Sequence, residues 1–181
     1  MKFRALFLRW FLMAVIIFTG LVITIQINGL RWINERDASK LSFVILTLFI
    51  GTTFWCGYLS WKLNLLLENR DSLSSERYQK NLRGLELKAD HGWFIRTVCA
   101  ELGMLGTIIG LILGLETVAK IQFDNIENSA QLISLFVKYL ATAFVTTGIG
   151  LACGTLLLIQ LQNLCNKIDT EKRERGRYDK E

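Results

Sequence analysis

The sequence predicts an all-α integral membrane protein with four transmembrane helices, both termini cytoplasmic, and helices that extend into the cytoplasm. Three observations carry that prediction. About half the residues are apolar (51%), yet the charged ones fall in blocks instead of alternating with them. Proline is absent, so no ring interrupts a helical backbone anywhere in the chain. Lysine and arginine are also distributed unevenly about the apolar runs.

A hydrocarbon core of ~30 Å needs ~20 mostly apolar helical residues to cross it. Four stretches meet that requirement, at about 10–29, 41–61, 97–118 and 135–161. Within lipid every peptide N–H and C=O must be satisfied internally, which makes these runs helices. The alternating ten-residue segments of a membrane barrel are missing. The first run is longer than the apolar core of a secretion signal and lacks a small-x-small cleavage site, so it reads as a retained span.

Charge sets the orientation. Sixteen of the 21 basic residues precede the first run, lie between the second and third, or follow the fourth. The other side holds only Arg31, Arg36, Lys40, Lys120 and, near the outer end of the fourth run, Lys138. The positive-inside rule then places the termini and the middle connection in the cytoplasm. The same asymmetry accounts for the net charge of +5 through anionic headgroups, and excludes nucleic acid as the partner it serves. Trp10, Trp32, Trp61 and Trp93 fall near proposed span ends, as an interfacial belt would have them, whereas Trp55 lies deeper and is expected to pack between helices.

These elements divide the chain into four parts. Residues 1–63 form spans one and two, an outer lipid-facing layer, and 64–96 a cytoplasmic helical loop turning near 71–75. Residues 97–161 hold spans three and four, and 162–181 are a charged cytoplasmic tail. Cys56, Cys99, Cys153 and Cys165 have no C-x-x-C spacing and read as reduced, core-like thiols; His91 stands alone. No metal set, nucleophile–base pair or phosphate loop is present, so neither a cofactor nor an enzymatic activity is expected.

Spans three and four share one spacing. Gly103, Thr107, Gly110 and Gly114 step by four, three and four, and so do Ala143, Thr147, Gly150 and Gly154. At ~100° per residue each set forms one small-residue stripe with a hydroxyl near mid-span. Thr142 and Thr146 add hydroxyls within about a turn. Small-x-x-x-small faces serve helix packing, and threonines bond across helices or back to their own carbonyls. The same faces also suit a shared pore in which the hydroxyls of Thr107, Thr147, Thr146 and Thr142 meet an ion. No carboxylate is expected mid-span, because Glu101 and Glu116 fall near opposite ends of span three. A proton pathway would therefore need its central carboxylate from another polypeptide.

The segment from Ala100 through Leu111, AELGMLGTIIGL, resembles the third-span signature of the MotA/TolQ/ExbB proton-channel family, L-G-L-L-G-T-x-x-G. Ala143 through Leu151, AFVTTGIGL, is similar to that family's last-span pattern, A-F-x-T-T-x-x-G-L. Together they cover roughly residues 97–161. The resemblance implies a homo-oligomer, a pentamer, whose last two spans surround the single-span helices of a MotB/TolR/ExbD-like partner dimer. That partner would supply the missing aspartate, and Thr107 and Thr147 would match the family's pore threonines. It further implies the bacterial inner membrane and conduction of H⁺ or Na⁺ coupled to rotation or force. The chain departs from the family in having no proline after the last G-L, and Thr142 where an acidic residue often stands. Its short middle connection argues against a flagellar role. Two other readings of the residues remain: a scaffold of four helices whose faces only pack, and a holin-like permeabiliser that needs no partner.

Overall fold

The computed structural model describes residues 5–26, 28–29, 31, 33, 37, 39–69, 74–119 and 126–178. Four helices account for nearly all of them: α1 (Ala5–Gln26), α2 (Leu41–Glu68), α3 (Ser75–Ala119) and α4 (Ile126–Tyr178). No strand occurs among the described residues. Helices α2, α3 and α4 are each long and apolar enough to cross a bilayer, and α1 carries a shorter apolar stretch, Trp10–Gly20. α4 has 53 residues and α3 has 45, so at 1.5 Å per residue they run to roughly 80 and 70 Å. Both run unbroken through positions 96 and 161, as a proline-free sequence allows. Trp32, Asp124 and most of the expected turn at 71–75 lie outside the described residues.

The chain divides into two compact units. One contains Met1–Gly20, Ile50–Arg96 and Thr155–Glu181. Its core is leucine-rich: Leu59, Leu63 and Leu67 of α2 meet Tyr78, Leu82 and Leu85 of α3, with Leu164 and Ile168 of α4. These buried residues occupy one face of each helix, recurring at steps of four and three. That is the 3.5-residue repeat of helices packed knobs into holes. Charges take the remaining faces. The Lys172 ammonium pairs with Glu86, joining α4 to α3, and Lys167 pairs with the buried Glu171 one turn on at 2.7 Å.

Two tryptophans depart from the sequence expectation in this unit. The Trp10 ring lies against Gly57 so closely that a Cβ there would fall 2.2 Å from Trp10 Cζ2. Trp10 is therefore a packing residue within this unit. Trp55 is 42% exposed instead of lying between helices, and its indole N–H donates to the Lys88 carbonyl at 3.3 Å.

The second unit contains Leu21–Phe49 and Thr97–Gly154. Here the buried positions of α3 are small: Cys99, Gly103, Gly106 and Gly110. The large apolar side chains of that stretch, such as Met104, Ile108 and Leu115, point outward and are more than half exposed. An outward apolar surface over a small-residue interior suits a lipid or protein surround.

Truncating the leucine core should be costly. Leu82→Ala removes a fully buried side chain and is expected to destabilise by about 2–5 kcal/mol. Leu87→Ala, at a 60% exposed position of the same helix, should cost well under 1 kcal/mol. Unfolding of the purified chain in mixed micelles, followed by circular dichroism, checks the contrast.

Candidate functional site

The candidate site is built where α3 and α4 approach most closely in the second unit. A Cβ added to Gly103 would stand 3.2 Å from the Gly150 Cα, and one added to Gly150 would stand 2.8 Å from the Cys99 carbonyl oxygen. At Gly110 it would meet the Tyr139 carbonyl at 2.8 Å and Ala143 Cβ at 2.9 Å, and at Gly114 the Phe136 ring at 3.2 Å. Backbone lies against backbone, which only residues without bulky side chains permit. Gly103, Gly110, Gly114, Ala143 and Gly150 thus face the other helix of the same chain, and Gly154 is buried as well.

The packed row of α3 is not quite the one that the four-three-four spacing picks out. Its contact positions are Gly103, Gly106, Gly110 and Gly114, and a Cβ added to Gly106 would fall 2.4 Å from Thr146 Cγ2. Thr107 sits at the edge of that row, half-buried, and its hydroxyl donates to the Met104 carbonyl. A 3.6-residue and a 3.5-residue repeat diverge by less than one position over this length, so spacing alone could not separate Gly106 from Thr107.

The four threonines fall into two classes. Thr142 and Thr146 are fully buried, and their hydroxyls reach the carbonyls one turn back, Lys138 at 3.2 Å and Thr142 at 2.9 Å. Thr147 is half-buried and bridges the helices, its hydroxyl lying 2.9 Å from the Gly103 carbonyl and 3.1 Å from that of Ala143. A hydroxyl has one proton to donate, so these two acceptors compete for it. Thr107 and Thr147 are the hydroxyls left partly open on this chain, whereas Thr142 and Thr146 belong to its interior.

Asp37, in the connection between α1 and α2, enters this site unforeseen. Its side chain is 1% exposed. Oδ1 accepts from the Ser39 amide at 3.0 Å and the Ser39 hydroxyl at 2.6 Å, and Oδ2 from the Ser42 amide at 2.8 Å. Oδ1 also lies 3.4 Å from the Thr146 hydroxyl. Burial works against the charge, but the hydrogen bonds from Ser39 and Ser42 outweigh it and hold the carboxyl below its ordinary range. The sequence signal for this turn is Asp37-x-Ser39-x-x-Ser42 just ahead of an apolar run, a pattern of side chains that satisfy the free amides of a helix start. Its contact with Thr146, 109 residues away, has no local signal.

No metal-ligand cluster of His, Cys, Asp or Glu occurs among the described residues. All four cysteines are unpaired, and burial pushes the Cys165 thiol up, away from reactive thiolate.

The profile of the MotA/TolQ/ExbB proton channel family matches residues 67–176, more than half of the chain. The chain belongs to this family. The matched region begins at the end of α2 and takes in nearly all of α3 and α4, well beyond the two motifs around Thr107 and Thr147. No curated protein and no solved structure matches the chain. Membership together with the long apolar helices makes this MotA/TolQ/ExbB protein a multi-pass membrane protein.

The glycine row supplies a direct test of the packing. Gly106→Ala drives a methyl group into Thr146 and should destabilise by about 1–3 kcal/mol. Gly148→Ala, where nothing lies within 4 Å, should be neutral or stabilise by up to about 1 kcal/mol through helix propensity. Denaturation midpoints of the two variants in the same micelle system measure the difference.

Proposed function

We propose that the chain is the channel-forming subunit of an ion-motive-force-driven complex. It conducts protons, or sodium ions, together with a single-span partner that carries a carboxylate. The observation that carries this reading is the conjunction of family membership with the packed Thr146-Thr147 step, where one hydroxyl is locked inside the chain and the next stays partly open. Thr147 is fixed to Gly103 across the helix pair, and so presents a hydroxyl whose orientation is set in advance. Thr107 offers a second one at the edge of the glycine row.

Under this reading α1 is the fourth span, both termini are cytoplasmic, and the protein resides in the bacterial inner membrane. Several copies, five by analogy with the family, surround a partner dimer of the MotB/TolR/ExbD type. Its outward apolar residues on α3 and α4 then face neighbouring subunits or lipid. Each unit charge that crosses the membrane releases ~2.3 kcal/mol per 100 mV, which such complexes turn into rotation or force. The chain is a conduit and not an enzyme, and no cofactor enters the reading.

Thr147→Val keeps the side-chain volume and removes the hydroxyl. In vesicles holding the chain with its single-span partner, it should lower potential-driven proton uptake about tenfold, near the ~1.4 kcal/mol of one such hydrogen bond. Assembly, read by native mass spectrometry, should be unchanged. A scaffold protein would show no uptake to lose, and a partner-independent permeabiliser would collapse the potential in vesicles containing the chain alone.

A further inference from the structure

We infer that Asp37 is a positioning residue of the ion pathway, a carboxylate that this chain itself sets against Thr146 and that controls which way the Thr146 hydroxyl donates. The inference rests on the channel reading for its function but on geometry for its substance.

Thr146 has two acceptors within reach, the Thr142 carbonyl at 2.9 Å and Asp37 Oδ1 at 3.4 Å, and a single proton to give. The longer separation is what remains when the proton is engaged with Thr142. Rotation about the Thr146 Cβ–Oγ1 bond hands the same proton to the carboxylate. If Asp37 takes up a proton of its own, the donor and acceptor roles reverse: its O–H donates to Thr146 Oγ1, and Thr146 must then donate to Thr142. The charge state of Asp37 and the direction of the Thr146 hydroxyl are thereby linked. Thr147, the bridging hydroxyl, follows directly in the same helical turn.

Helix capping accounts for the bonds from the Ser39 and Ser42 amides, but not for two further features. One is the contact with Thr146, which lies on another helix. The other is the Ser42 hydroxyl, wholly buried beside the same carboxylate, whose charge it helps to support. A buried carboxylate set against a hydroxyl that has a second acceptor is arranged to change partners, not merely to hold a turn. Lys40 on the same connection and Lys138 on α4 are both exposed. Among the described residues no cation pairs with Asp37. Hydroxyl and amide donors from Ser39 and Ser42 support its charge.

The test is an infrared titration of the purified full-length chain in lipid nanodiscs, with Asp37→Asn used to identify the Asp37 carboxylate band. Thr146→Val, which keeps the shape and removes the donor, should move the midpoint of that band upward. Thr146→Ser, which restores a hydroxyl, should return it toward the original value. In vesicles with the partner, the losses of proton uptake in Asp37→Asn and Thr146→Val should be strongly non-additive. An Asp37 midpoint unmoved by Thr146→Val, or additive losses of uptake, would overturn the proposal. A shifted midpoint in a chain that conducts nothing with any partner upholds the Asp37–Thr146 pairing and sinks the channel reading alone.

Discussion

Much of the second unit depends on how closely the backbones of α3 and α4 approach one another. Gly150 meets Gly103 and the Cys99 carbonyl at distances that leave no room for a methyl group. Without a hydrophobic drive between helices in lipid, such contact supplies the dispersion and polar interactions that hold a helix pair together. It also brings the Gly103 carbonyl within reach of the Thr147 hydroxyl. The glycines therefore do not line an empty space within the chain. They are the condition under which the hydroxyls acquire fixed positions.

The two units solve the same packing problem with opposite means. One fills the interface with Leu59, Leu82, Leu164 and their neighbours, as a water-exposed helical assembly would. The other empties it to Gly103, Gly106 and Gly110, as membrane helices do. The buried steps of four and three are common to both, so one helical repeat carries two chemistries along α3. Side-chain size changes near Gly92, where a Cβ would already press within 2.5 Å of Leu161.

Much of this was legible in the residues. The apolar runs over α2, α3 and α4 follow from length and composition, and the Thr107 and Thr147 motifs point to the family that the wider match at 67–176 shows. The small-residue stripes were legible as faces, but their occupant was not, because a face that packs and a face that lines a pore need the same residues. Gly106 falls outside the stripe because a helical wheel drawn at 100° places Thr107 nearer its centre. Asp37 was hidden for a different reason. Its capping pattern is local and readable, whereas its approach to Thr146 depends on where the chain places the start of α2, and no periodicity encodes that. What the residues did not announce is that this chain sets a carboxylate of its own against Thr146.

The length of α4 acquires a meaning from its threonines. A helix of 53 residues without proline lacks the commonest cause of a sharp kink. Hydroxyls that bond back to the preceding turn loosen a helix slightly and let it curve. Thr142, Thr146 and Thr147 all do so, to Lys138, Thr142 and Ala143, within ten residues of one another. These back-bonds soften α4 locally, at the same step where its hydroxyls choose their partners.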